Sequence, residues 1–259
     1  MTSDAYTPRF ENVQVSSATG SKSDAAMAII APGGDVKVSA PASIGQLDKL
    51  PAALRMLSGN NATQATLTSD DLAPSFKTFK TKMLREFERI AIAKGLTVKA
   101  AYESLDVVTY DDKKSLQFVV VPEVKIDLDG VTNCAGSNPF FFIVSGSYSC
   151  TRDMTFGRTF SVSLLEPQSR EKLYVKNLNL DSVRTTCQAS AEWRSGTEGK
   201  AAYLLVQNAL KTACQAAVNR EIDNLYSEAV KAFVAYLPTG EEAQHLKAQA
   251  MEIKSKKVY

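Results

Sequence analysis

Histidine is almost missing from this chain: His245 is the only one in 259 residues. A Ser-His-Asp or Cys-His relay therefore has one place to find its base, and His245 lies in a polar stretch between Gln244 and Leu246, where a surface helix residue is expected. Cysteine is scarce too. The four, Cys134, Cys150, Cys187 and Cys214, form no CxxC pair and have one histidine to call on, so a zinc site lacks spacing and partners, and no metal is expected. GxSxG, GxxxxGK[ST] and GxGxxG are all absent, which removes the usual nucleophile elbow and phosphate cradles. The carboxylate pairs Asp111-Asp112 and Glu241-Glu242 stand in polar surroundings that would not push their two pKa values apart. The expectation is a protein without enzymatic activity or cofactor.

Charge of one sign is lacking as well. Thirty basic and twenty-eight acidic side chains leave a net charge of +2, and no region gathers the basic ones into a nucleic-acid footprint, so no nucleic acid is expected. The apolar runs, such as Phe140 to Val144 and Tyr203 to Val206, fall far below the roughly 20 residues that cross a bilayer. Met1-Thr2-Ser3-Asp4 has neither a basic n-region nor an apolar h-region. An exported protein with its signal outside this chain fits that start, as does a cytosolic one.

The cysteines bear on the choice. Four allow three pairings, and the nearest-neighbour one, Cys134 with Cys150 and Cys187 with Cys214, is favoured. Four buried thiols in a cytosolic protein is the competing reading.

What is present is organised. Residues 1–70 are rich in Ser, Ala, Thr, Gly, Asn and Pro, with turns at Pro32-Gly33-Gly34 and Ser58-Gly59-Asn60-Asn61, and read as a partly irregular N-terminal arm with two or three short strands. Asn61-Ala62-Thr63 is taken as a chance sequon. From Pro74 the pattern becomes helical: Phe76, Phe79, Met83, Phe87 and Ile90 share one face, and Gly95 closes the helix. Leu96, Val98 and Ala100 then alternate as a strand. Glu103 to Ser115 is a polar stretch, and Leu116 to Val121 a second strand, where Pro122 argues for an edge or a bulge before Val124, Ile126 and Leu128 resume the alternation. Phe140 to Val144 reads as a buried core strand or a subunit contact.

Phe160 to Leu178 reads as a hairpin turning at Glu166-Pro167-Gln168-Ser169. A single stripe, Tyr203, Val206, Leu210, Cys214, Val218, Ile222, Leu225, Ala229 and Phe233, marks a helix over 200–236. Pro238 stops it, and Thr239-Gly240-Glu241-Glu242 is a capping box for a last helix loaded with Lys247, Lys254, Lys256 and Lys257. Those lysines fit a solvated face near the negative helix end, with anionic lipid as the alternative contact. The predicted fold is α+β: a mixed sheet of about four to six strands against long amphipathic helices, in a domain over 71–259 that follows the arm.

The order of these pieces resembles a known family. Tyr6-Thr7-Pro8, the helix from Phe76, the strand Leu116 to Asp129, the turn Leu165-Glu166-Pro167-x-Ser169-x-Glu171-x-Leu173, NLNLDSV, the long helix and the lysine-rich end are similar to the neuraminyllactose-binding haemagglutinin (HpaA-type) surface lipoproteins of Helicobacter-like bacteria. The resemblance covers most of 74–258. It implies export to the periplasm or outer membrane and peripheral membrane association through a lipidated cysteine, which would have to lie upstream of Met1. The family's proposed sialic-acid-binding stretch would be rich in lysine and arginine, but Gly130 to Pro139 holds no cation, so haemagglutination does not carry over. Two functions follow as expectations: a structural or assembly subunit of an envelope machine of secretion or flagellar type, bound to other envelope proteins or to copies of itself, and alternatively a surface adhesin.

Overall fold

Two long strands set the size of the molecule. The computed structural model describes residues 6–15, 23–39, 67–136, 145–194, 199–238 and 240–256. In it β4 (Phe118–Gly136) and β5 (Gly146–Leu165) pair antiparallel in one unbroken register from Val119↔Leu165 to Gly136↔Tyr148. Their alternation decides the faces. Val124, Ile126 and Leu128 are buried while Glu123, Lys125, Asp127 and Asp129 are exposed, and on β5 Met154, Phe156, Phe160 and Val162 point inward. At about 3.3 Å per residue such strands run roughly 60 Å, the length that α3 (Gly199–Tyr236), with 38 residues, reaches at 1.5 Å each.

The other strands fill the two flanks. The sheet order is β3-β1-β4-β5-β6, with β1 (Ala26–Ile30), β2 (Val36–Val38), β3 (Thr97–Tyr102), β6 (Lys172–Asn179) and β7 (Val183–Trp193). β2 continues past β1 along β4, and β7 lies on β5 where β6 does not. β1 to β4 run parallel, and β5 is antiparallel to β4, β6 and β7. The fold is α+β, a seven-stranded mixed sheet under helices.

α1 (Ser69–Ala93) and α3 cover one face. From Val206 to Phe233 every described member of the expected α3 stripe is buried, and Phe87 of α1 stacks on Phe233 with ring centroids 3.7 Å apart. A smaller cluster on the opposite face, Ala28, Ile30, Val119 and Leu116, is covered by Val108 and Leu105. The rest of that second face, on β4, β5 and β7, is polar and exposed.

Several expectations need correction. α1 begins at Ser69 and not at Pro74, because Asp71 accepts from both the backbone N–H (2.9 Å) and the hydroxyl (2.8 Å) of Thr68 and organises a turn ahead of the proline. Gly95, at φ 79°, closes it with Gly95 N–H on Ile92 O and Leu96 N–H on Ala91 O. The polar stretch after β3 contains a 3-10 turn, Leu105–Val107, and a short α2 (Tyr110–Ser115) capped by Thr109. Pro122 is neither at an edge nor in a bulge: it is buried and pairs in register with Val162. Its backbone faces the interval between β1 and β2, where Gly33 N–H donates to Pro122 O and Val124 N–H to Gly33 O, so the missing donor falls where the partner strand changes.

Within the N-terminal arm, residues 1–70, two short strands, β1 and β2, are present as expected, but β1 is central. β1 sits between β3 and β4 and is buried throughout, and Phe10, at φ 50°, packs between Phe79 and Tyr226. A run of five buried residues shows no polar alternation, so what the sequence did not reveal is that β1 is central. Residues 1–5, 16–22 and 40–66 of that arm, including Ser58 to Thr63, lie outside the described residues, as do Phe140 to Val144, Thr239 and Lys257.

Candidate functional site

The four cysteines lie on three strands and one helix. Cys134 of β4 stands directly opposite Cys150 of β5 and is joined to it, and Cys187 of β7 is joined to Cys214 of α3. Cys150, Cys187 and Cys214 are buried. On β5, Cys150 faces Ala189 and Arg152 faces Cys187, so the two bridges sit diagonally on the covered face, with Gln207 Nε2 at 3.6 Å from the sulfurs of both Cys134 and Cys150. Together they fasten β4 to β5 and the sheet to its long helix.

Sequence reading missed the buried charges, which carry the other long-range ties. Asp223 of α3 accepts from the Tyr6 hydroxyl (2.6 Å), Arg9 N–H (3.2 Å) and Phe10 N–H (2.8 Å), while Asn219 donates to Tyr6 O at 3.0 Å. Burial pushes its carboxyl up, but those donors outweigh it and hold the pKa below the ordinary value. Glu86 of α1 takes both Nε (2.9 Å) and Nη2 (2.6 Å) of Arg89 and the Val13 N–H (2.9 Å), and burial is again outweighed. The segment 6–13 is thereby clipped across both helices. Nothing in the sequence pattern marked either acid.

The signature turn after β5 is likewise built on a buried acid. Glu166 Oε2 accepts from Gln168 N–H (3.0 Å) and Ser169 N–H (2.5 Å), and Glu166 pairs its backbone with Glu171 and Arg170. Lys254 of α4 (Gly240–Lys256) stands 3.9 Å away and donates to Leu116 O at 2.6 Å. Burial lowers the Lys254 pKa and Glu166 raises it, with burial the larger effect. Lys247 pairs with Asp24 at 2.7 Å and Lys256 with Glu252. Lys247 and Lys254 thus hold α4 down, while Lys256 bonds within its own helix and stays exposed, as expected of a solvated face. His245 shares that helix, and among the described residues no group of His, Cys, Asp and Glu is arranged to hold a metal.

Among the described residues, two polar surfaces are open to a partner. A groove of about 410 Å³ beside α3 is lined by Arg158, Val183, Glu221, Asn224, Ser227, Glu228 and Lys231, with Arg158 paired to Glu228 at 3.0 Å. The second is the open sheet face, where rows such as Asp129-Thr155-Arg184 and Asn133-Thr151-Gln188 cross β4, β5 and β7. Asp153 accepts from the Thr186 hydroxyl at 2.7 Å there. In the groove the Ser227 hydroxyl donates to Asp223 O at 3.3 Å.

No family model and no curated protein matches the chain. Solved structures do. A neuraminyllactose-binding hemagglutinin homolog from Helicobacter pylori aligns at 9% identity over 89% of this chain and 100% of that one, with a TM-score of 0.40. A Xanthomonas campestris protein aligns at 11% identity over 86% and 98%, with a TM-score of 0.26, and a Neisseria meningitidis lipoprotein at 9% over 71% and 96%, with a TM-score of 0.23. Likeness at this level is a similarity of arrangement and carries no functional argument.

Proposed function

We propose that this chain is a non-enzymatic protein of the bacterial cell envelope, exported to the periplasm or outer membrane, where it serves as a structural or assembly subunit. The observation that carries the reading is the oxidised cysteine set: all four residues are bonded, and one bridge ties the sheet to α3. Such bridges form and persist in oxidising compartments, and a reducing cytosol would dissolve them. The element order resembling the haemagglutinin-type lipoproteins supports the same location.

The subunit role rests on what the molecule offers. A wide polar sheet face on a stapled frame suits docking to another envelope protein or to a second copy, through hydrogen bonds and shape rather than a deep apolar pocket. Affinity purification from membrane and periplasmic fractions of the native host tests it. Stable envelope partners or a defined homo-oligomer is the expected result, and recovery as a lone cytosolic chain overturns it.

A second reading, a surface adhesin, is favoured only by the groove beside Arg158, whose amide, hydroxyl and charged groups could hydrogen-bond a sugar. Binding of the isolated protein to a glycan array, lost on Asn224→Ala, would select it over the first.

A further inference from the structure

The edge of the sheet along β7 is long and unblunted. β7 pairs with β5 at eleven consecutive positions without a register shift, and among the described residues no strand pairs with its other side. Such edges are normally spoiled by lysine, proline or a bulge. β6 beside it carries Lys172 and Lys176 and a register shift, and β3 on the far edge carries Lys99 and a shift against β1, whereas β7, VRTTCQASAEW, has no lysine, proline or glycine.

The register decides which groups this edge offers. Gly33 N–H donates to Pro122 O and Val124 N–H to Gly33 O, so the even-numbered residues of β4 turn their backbone toward β1 and β2 and the odd-numbered ones toward β5. Carried through the two antiparallel registers, that alternation bonds the odd residues of β7 to β5 and points the N–H and C=O of Arg184, Thr186, Gln188, Ser190 and Glu192 outward. The side chains of these five are exposed on the open face. Arg184 and Glu192 are the charged residues of β7, and each stands four positions from Gln188.

We propose that β7 pairs antiparallel with β7 of a second copy of this chain, about a twofold axis at Gln188, joining the two sheets into one. The proposal rests on the subunit reading above and deepens it by naming the partner. In this register Arg184 lies opposite the second copy's Glu192 at both ends of the pair, and Thr186 opposite its Ser190, both favourable cross-strand neighbours. Moving the axis to Cys187 sets Arg184 opposite Ser190, and moving it to Ala189 sets it opposite Arg194, so the charges select one register. On the covered side Ala189 and Ala191 are only partly buried, and the second copy's Cys187 and Thr185 come to lie beside them.

Sedimentation equilibrium of the intact, oxidised protein tests this, with a dimer at micromolar concentration as the expected result. Arg184→Glu sets two acids face to face at each end and should weaken the dimer roughly tenfold, and adding Glu192→Arg should restore it. Gln188→Pro removes an outward N–H while leaving the pairing with β5 in place, and should give a folded monomer. Hydrogen exchange supplies a readout without any variant: the amides of Thr186, Gln188 and Ser190 should gain protection as concentration rises, while those of Thr185, Cys187 and Ala189 are protected already. A wild-type monomer, a charge swap that restores nothing, or a dimer in which Thr186, Gln188 and Ser190 stay unprotected would each overturn the pairing. The subunit reading itself falls only if the native host yields a lone cytosolic chain, so the two failures are distinct.

Discussion

Asp223 and Glu86 show how single side chains hold the N-terminal segment. Each has a pKa below its ordinary value, 3.8 and 4.5. A carboxyl whose folded pKa is depressed contributes stability above its unfolded value and loses it as pH falls through the folded one. Stability should therefore be level down to about pH 5 and fall more steeply below pH 4. Asp223→Ala should cost about 1–3 kcal/mol at neutral pH and flatten that acid slope, both read by urea unfolding across a pH series. An unchanged slope would mean that the segment 6–13 is not held through this acid. Phe87 belongs to the same scale: Phe87→Ala removes the ring stacked on Phe233 and should cost about 3–5 kcal/mol, and a loss below 1 would show that the α1–α3 contact relaxes without it. The tie each acid makes was illegible in sequence because the N-terminal groups it holds lie 73 and more residues away.

Elements were legible where periodicity was long. The α3 stripe and the Gly95 stop could be read directly, since a nine-position pattern and a positive-φ glycine leave few alternatives. α1's start was not, because Pro74 is a strong punctuator while the organising acid, Asp71, belongs to a less regular cap. Asp71 also pairs with Lys211 of α3 at 2.8 Å, and its carbonyl accepts from Gln215. Asp71→Ala should thus cost more than Thr68→Ala, about 2 against about 1 kcal/mol in urea unfolding, and the reverse order would return the cap to Thr68. The turn after β5 was read as architecture, and its geometry ties that architecture to α4. Glu166→Gln and Lys254→Met should each cost about 1–3 kcal/mol, and the double variant at least 0.5 kcal/mol less than their sum. Strict additivity would leave the turn and α4 independent.

For the whole molecule, the short strands of the Ser- and Ala-rich start were legible and the place of β1 inside the sheet was not, since placement in a parallel pair depends on strands far along the chain. Mixed topology, helix cover on one face and a domain dominated by one long helix were legible. The open polar face was half visible as alternation, but its extent needed the pairing of three strands. Cysteine pairing links this scale to location. The Cys187–Cys214 bridge spans 27 residues and two layers, against 16 residues for Cys134–Cys150. Removing the longer bridge should therefore destabilise more, within the 2–5 kcal/mol typical of native disulfides. The envelope assignment stands or falls on the redox state in the cell. Protein taken from the native host with its thiols alkylated at lysis, then mapped by peptide mass spectrometry without reduction, should yield Cys134 linked to Cys150 and Cys187 linked to Cys214. Four alkylated cysteines would place the chain in a reducing compartment and contradict the account.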